Sequence, residues 1–235
     1  MKCAVLSSAA PRDVLKTIED FADRVIALPP HPALPEPVAS HADMIFSVID
    51  KTVFFDKIYC EACPDTVREI VRAGDFDLRT AGELGGKYPR DVALNFLVGE
   101  KFASGLDGAV APELRAFAEE SGRRFVPVKQ GYAACSCLLA KGLAVTADRG
   151  LAASLAPFAD TLLIREGFIE LPPYPYGFIG GASGFDGEAV FFAGDLSSHP
   201  DGELISDTLA ARGAYGVSLT RGMLSDVGGI RFIYD

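Results

Sequence analysis

Five stretches of this chain echo one another at a nearly constant interval. Asp43, Asp91, Cys135, Ser183 and Asp226 open the five, spaced 48, 44, 48 and 43 residues apart. Divided by five, the 235 residues give a period of 47. Self-similarity at such a period constrains architecture before any single residue does, because each repeat is one supersecondary unit that covers its apolar face with its neighbours. It also locates a site, since five equivalent strand starts can converge on one axis.

The unit over residues 41–78 shows the order of elements. His41 to Asp50 is apolar and β-branched enough for a buried strand, Asp50 and Lys51 make a turn, and Thr52 to Phe55 gives a second strand. Cys63, Pro64 and Asp65 open a helix, because Pro suits the first helical turn and Asp its positive end. Val67, Ile70 and Val71 form its apolar stripe, Gly74 stops it, and Phe76 to Leu78 returns as a strand. The unit is ββαβ.

The order repeats three times more. The next unit has strands Asp91 to Val98 and Lys101 to Ala103, a helix from Pro112 and the strand Arg124 to Val128. Then come strands Ala134 to Leu139 and Leu143 to Thr146, a helix near Arg149 to Phe158, and Thr161 to Ile164. Gly181 to Phe185, Ala189 to Ala193, a helix from Pro200 to Arg212 and Tyr215 to Leu219 complete another.

The fifth unit exists only if the chain ends are joined. Asp226 to Tyr234 is a first strand with nothing after it. Met1 to Ser8 is a second strand, followed by a helix from Pro11 to about Asp23 and the strand Val25 to Leu28. Pairing the two ends closes a five-bladed α/β-propeller with pseudo-fivefold symmetry and removes exposed sheet edges. The alternative, an α/β sandwich of five βα units, leaves both end strands unexplained. No linker rich in Gly, Ser or charge divides the chain, so residues 1–235 read as a single domain. The Pro-rich stretches 28–37 and 172–176 read as stiff connections at the rim of the ring.

Charge narrows the partners. Twenty-two basic against 32 acidic residues give a net charge of −10 with no Lys/Arg cluster, which argues against nucleic acid or an anionic membrane surface. No signal peptide is seen at the start, and no apolar run reaches the roughly 18 residues of a membrane span. Five cysteines, an odd number, point to reduced thiols and a cytoplasmic address. A chain of this size buries roughly 70–75% of its unfolded surface, so no disulfide or metal is needed for a core.

A closed ring of five ββαβ units resembles the pentein superfamily, the α/β-propellers that include dimethylarginine dimethylaminohydrolase, arginine deiminase and agmatine deiminase. Ribosome anti-association factors share that fold without acting on guanidines. His41, Ala42 and Asp43 look like the His-x-Asp strand of the deiminases, and Gly131 to Leu139 looks like the segment bearing the nucleophilic cysteine of the dimethylarginine hydrolases. As a whole the chain is similar to bacterial pentein-like proteins without an assigned activity. Two registers are open. In chain order the resemblance puts acidic positions on Asp43 and Asp91, the histidine near Tyr132 to Ala134 and the cysteine near Asp226, which keeps cation-holding carboxylates and loses base and nucleophile. Rotated around the ring, His41, Cys135 and Asp226 match the histidine, cysteine and carboxylate. Chain order needs no circular permutation and is preferred on that ground.

The chemistry implied is specific. Guanidine hydrolysis needs a soft nucleophile, carboxylates that hold the planar cation, and an acid/base for the leaving amine. Cys135 is the candidate nucleophile, His41 the proton shuttle and Asp226 a third catalytic group; Asp43, Asp91 and Ser183 are candidate substrate contacts. Each has a plainer reading: a small buried hydrophobe for Cys135, a solvated or backbone-bonded His41, and turn formers for the aspartates. The recurrence of carboxylates at equivalent points favours a shared polar axis. Several buried together are costly unless something positive, or ordered water, joins them.

Other motifs carry less. Cys60 and Cys63 with Cys135 and Cys137 have thiolate-site composition, the second pair expected on one face of a strand and Cys63 acidified at a helix start. Gly180 to Gly184 lacks the Lys-Ser/Thr ending of a phosphate loop and precedes a strand, so it reads as a tight approach to the axis. His199 and Pro200 read as a helix entry. The expectation is a protein without metal or cofactor that binds, and hydrolyses through Cys135, a small guanidino or amidino cation. The rival is a non-catalytic binding or interaction protein on the same scaffold.

Overall fold

The computed structural model describes all 235 residues. Fifteen strands make five sheets of three. The first unit holds β1 (Lys2–Ser7), α1 (Arg12–Ile18) and β2 (Arg24–Leu28). The second holds a helical turn α2 (Ala42–Ile45), β3 (Phe46–Ile49), β4 (Thr52–Phe55), α3 (Lys57–Ala62), α4 (Pro64–Gly74) and β5 (Asp77–Thr80). The third opens with a 3-10 turn at Arg90–Val92, then β6 (Leu97–Val98), β7 (Phe102–Leu106), α5 (Pro112–Glu120) and β8 (Arg124–Val128). The fourth has α6 (Ala133–Ser136), β9 (Cys137–Ala140), β10 (Leu143–Thr146), α7 (Arg149–Leu155) and β11 (Asp160–Leu163). The fifth has β12 (Ser183–Phe185), β13 (Ala189–Phe192), α8 (Gly202–Ala210) and β14 (Tyr215–Ser218), and β15 (Arg231–Tyr234) ends the chain.

Every sheet repeats one pairing. The middle strand runs antiparallel to the strand before it and parallel to the one that follows the helix. The parallel step needs a crossover, which the helix supplies. The antiparallel step needs only a tight turn, and Asp50 and Lys141 take the left-handed conformation (φ 53° and 47°) that such turns demand. β15 pairs antiparallel with β1, from Lys2 opposite Tyr234 to Val5 opposite Arg231, so the two ends of the chain close the ring. Ion pairs from the N-terminal ammonium to Asp235 and from Lys2 to Asp186 flank this seam. The five inner strands β3, β6, β9, β12 and β15 together line a cavity of about 300 Å³, which marks the axis.

The sequence reading differs from the structure where the chain enters the inner strands. Residues 42–45, 91–92 and 134–136, expected as strand, lie in helical turns. Ala42, Met44, Ala133 and Ala134 are good helix formers, and the ladder begins only at Phe46 and Cys137, past the crowded axis. Helix α3 was not foreseen; Asp56 caps it by accepting from the Tyr59 amide at 2.8 Å. Gly74 lies inside α4, and Asp75 takes the left-handed cap (φ 47°). Gly74 is small for another reason: a Cβ there would lie 2.1 Å from the Phe76 ring.

The connection over residues 29–41 leads to the site, and a buried polar cluster anchors it. His31 Nδ1 accepts from the Ala33 amide at 3.0 Å, so the neutral ring carries its proton on Nε2 and donates to Asp56 at 2.9 Å. Burial opposes ionisation of Asp56, but His31 and the amides of Tyr59 and Leu84 outweigh it and hold the carboxyl below its ordinary range. Tyr59 stacks on His31 and donates to the Pro29 carbonyl at 3.0 Å. No helix is long and apolar enough to cross a membrane.

Candidate functional site

The segments that enter the inner strands are stitched together by backbone hydrogen bonds. The Gly181 amide donates to the Cys135 carbonyl at 2.9 Å, and the amides of Val227 and Gly229 donate to the Gly181 carbonyl at 3.0 and 2.7 Å. The Asp43 amide donates to the Gly228 carbonyl at 3.0 Å. Approach this close requires glycine. A Cβ on Gly180 would sit 2.4 Å from the Ala134 carbonyl oxygen, and Gly228 (φ 75°) lies against His41.

This stitching brings His41, Cys135 and Asp226 to one pocket of about 250 Å³, beside Met44, Tyr132 and Phe178. His41 Nδ1 is 3.7 Å from Asp226 Oδ1. Asp226 also accepts from the Phe178 amide at 2.9 Å and the Gly228 amide at 3.0 Å. Burial pushes its carboxyl up to about 6; His41 works against the rise and Asp43 adds to it. Cys135 is enclosed, and burial raises its thiol well above the usual range, with Asp43 and Asp226 adding repulsion. The thiol is therefore protonated at neutral pH.

Asp43 does not line the pocket, yet it acts on both Cys135 and Asp226. Both of its carboxylate oxygens are buried without a donor. Asp91 stands apart: one oxygen accepts from the Tyr132 hydroxyl at 2.8 Å, and the other is buried without a partner. Ser183 donates to the Ile179 carbonyl at 2.7 Å and lines the separate axial cavity. The pocket therefore gathers three of the six candidates, holds Asp43 beside them, and leaves Asp91 and Ser183 outside.

Two contributors were not read from the sequence. Asn95 donates to the Cys135 sulfur at 3.0 Å and to the Asp43 carbonyl at 3.0 Å, and accepts from the Ala134 amide at 2.8 Å. Its signal was a lone amide inside the apolar run from Val92 to Val98. The second is the segment 171–178, which roofs the pocket with Leu171, Tyr174, Pro175, Tyr176 and Phe178. Its prolines and tyrosines read only as a stiff rim. Cys60, Cys63, Cys135 and Cys137, whose composition suggested a thiolate site, do not come together: no group of three or more His, Cys, Asp or Glu side chains is placed to hold a metal. Cys135 and Cys137 do not share a face, because the first lies in a helical turn and the second begins a strand packed in another part of the core. Burial raises the Cys63 thiol rather than acidifying it.

A family model described as "Family of unknown function (DUF6873)" matches residues 5–231. The chain belongs to the DUF6873 family. No curated protein matches this DUF6873 chain in sequence. Among solved structures it is similar to SxtG, an amidinotransferase from Microseira wollei in the saxitoxin biosynthetic pathway, at 11% identity and a TM-score of 0.56. The match covers 96% of the DUF6873 chain and 89% of that protein. With the five closed units, it shows that the DUF6873 chain has the pentein fold.

Proposed function

We propose that this protein binds a small planar guanidino or amidino cation above Cys135 and Asp226, and that Cys135 attacks its central carbon. The observation that carries the reading is the Asp43 carboxylate, buried without a donor beside a second buried carboxylate and a thiol. Excess negative charge in a low-dielectric pocket is stabilised by a cation, and a planar one offers paired hydrogen bonds to carboxylate. The same cation lowers the thiol's pKa, so the nucleophile forms only when ligand is present. The thiol proton passes to His41, whose imidazolium Asp226 stabilises; sulfur bonds to carbon, the C–N bond breaks, and His41 gives that proton to the leaving amine or ammonia. Water or an acceptor amine releases the S-amidino adduct and returns the thiol, so hydrolysis and transfer share every step up to that release. The unpaired state of all five cysteines supports a reducing, cytoplasmic setting.

A second reading, binding without chemistry, is favoured by the enclosure of Cys135 and its raised thiol. Benzamidine and alkylguanidines, titrated calorimetrically against the wild type and Cys135→Ser, separate the two. Both readings expect binding that tightens as pH rises through about 6, where Asp226 ionises beside His41 and Asp43. The catalytic reading also expects amine release that Cys135→Ser abolishes. Binding without release by the wild type selects the second reading, and no binding by either protein overturns both.

A further inference from the structure

In the pocket above Cys135 the ionisable side chains of His41 and Asp226 lie side by side with the thiol, and the rest of the lining is apolar or aromatic. His41, Cys135 and Asp226 form its floor, each 6% exposed or less. Above them the walls are Val38, Met44, Leu171, Pro175 and the aromatic rings of Tyr132 and Phe178. Tyr132 and Phe178 stack with centroids 6.2 Å apart, and Tyr176 meets Phe178 edge-on at the same separation. Tyr174, 43% exposed, stands at the mouth. Neither Lys nor Arg lines the pocket anywhere.

Resting on the cation reading above, we infer that the ligand is a monocation with an apolar or aromatic substituent and no carboxylate, an aryl amidine or alkyl guanidine rather than a guanidino acid. The amidinium end meets Asp226 and Cys135, while the substituent lies against the aromatic walls. A carboxylate on the ligand would enter a pocket lined by the Asp226 carboxylate, with donorless Asp43 close behind it, and would find no Lys or Arg to pair with. Taking such a group out of water without a partner is strongly unfavourable. An apolar group in the same place is favoured by burial, and the rings add attraction to an adjacent cation. Size agrees: a dry apolar cavity of about 150 Å³ takes up benzene, and about 250 Å³ leaves room for a ring plus a planar amidinium.

The test is calorimetric titration of the full chain with benzamidine, n-butylguanidine, arginine and the neutral benzamide. Benzamidine and n-butylguanidine are expected to bind at least tenfold more tightly than arginine, and benzamide not measurably. Arginine binding as tightly as n-butylguanidine would overturn the substituent inference while leaving the cation reading intact. Benzamide binding as well as benzamidine, or none of the four binding, would overturn the cation reading and this inference with it.

Discussion

At the scale of single residues, the site is defined by unfavourable electrostatics held in place by packing. Asp43 has no donor on either oxygen, Asp226 is pushed up to about 6, and Cys135 is kept protonated by its burial, to which the two carboxylates add. Asn95 supplies the only hydrogen bond given to the Cys135 sulfur and ties it to the backbone of Asp43. Asp43→Asn removes the charge and nearly keeps the shape. It is expected to stabilise the ligand-free protein by about 1–2 kcal/mol, a rise of roughly 3–6 °C in thermal midpoint, and to speed alkylation of Cys135 several-fold at pH 8. Calorimetry and mass-spectrometric labelling read the two effects. Unchanged stability and an unchanged labelling rate would mean that Asp43 exerts no charge on the thiol. The residue types of this site were legible because polar groups recur at one repeat position. Asn95 was not, because no other unit carries an amide at the equivalent position.

At the scale of elements, the helical turns and glycine contacts decide which of the recurring residues meet. Ser183 begins β12 and faces the axial cavity, whereas Cys135, at the equivalent point of its unit, lies in the turn α6 before its strand. That difference in backbone separates the two side chains although the sequence spacing is regular. Gly181 shows how tight the arrangement is, since a Cβ there would fall 2.0 Å from Asp226 Oδ1. Gly181→Ala is therefore expected to displace Asp226 from His41 and weaken cation binding at least tenfold, with a stability loss of about 1–3 kcal/mol. Gly222→Ala, whose Cβ meets nothing nearer than 3.9 Å, serves as the silent control. Calorimetric affinity for benzamidine measures the outcome, and wild-type affinity in Gly181→Ala would show that the position of Asp226 does not matter. The strand and helix order was readable from alternation, turn residues and Pro64 or Pro112 at helix starts. The turn α2 was not, because Ala42 to Ile45 runs without a break into the apolar strand Phe46–Ile49, and periodicity over four residues cannot tell turn from strand.

At the scale of the molecule, closure of the ring joins residues that are farthest apart in the chain. β15 is the only cover for the axis-facing edge of β1, and it buries Ile233 in the same apolar cluster as Met44 and Cys135. Ending the chain at Ile230 is expected to abolish cooperative unfolding, because it opens a sheet edge beside the core and loosens the segment that carries Asp226. Urea denaturation followed by circular dichroism checks this; a cooperative transition with an unshifted midpoint would show that the seam is dispensable. The period of 47, the ββαβ order and the need for the two ends to pair were all determined by the sequence, since each rests on local patterning repeated along the chain. Which polar residues share a pocket was decided only by the tertiary structure. Spacing places Asp43, Asp91, Cys135, Ser183 and Asp226 at one level of a ring, but backbone turns, the bond from Tyr132 to Asp91 and the roof formed by residues 171–178 set where each side chain points. Those are contacts between units, and the regular spacing within the chain does not encode them.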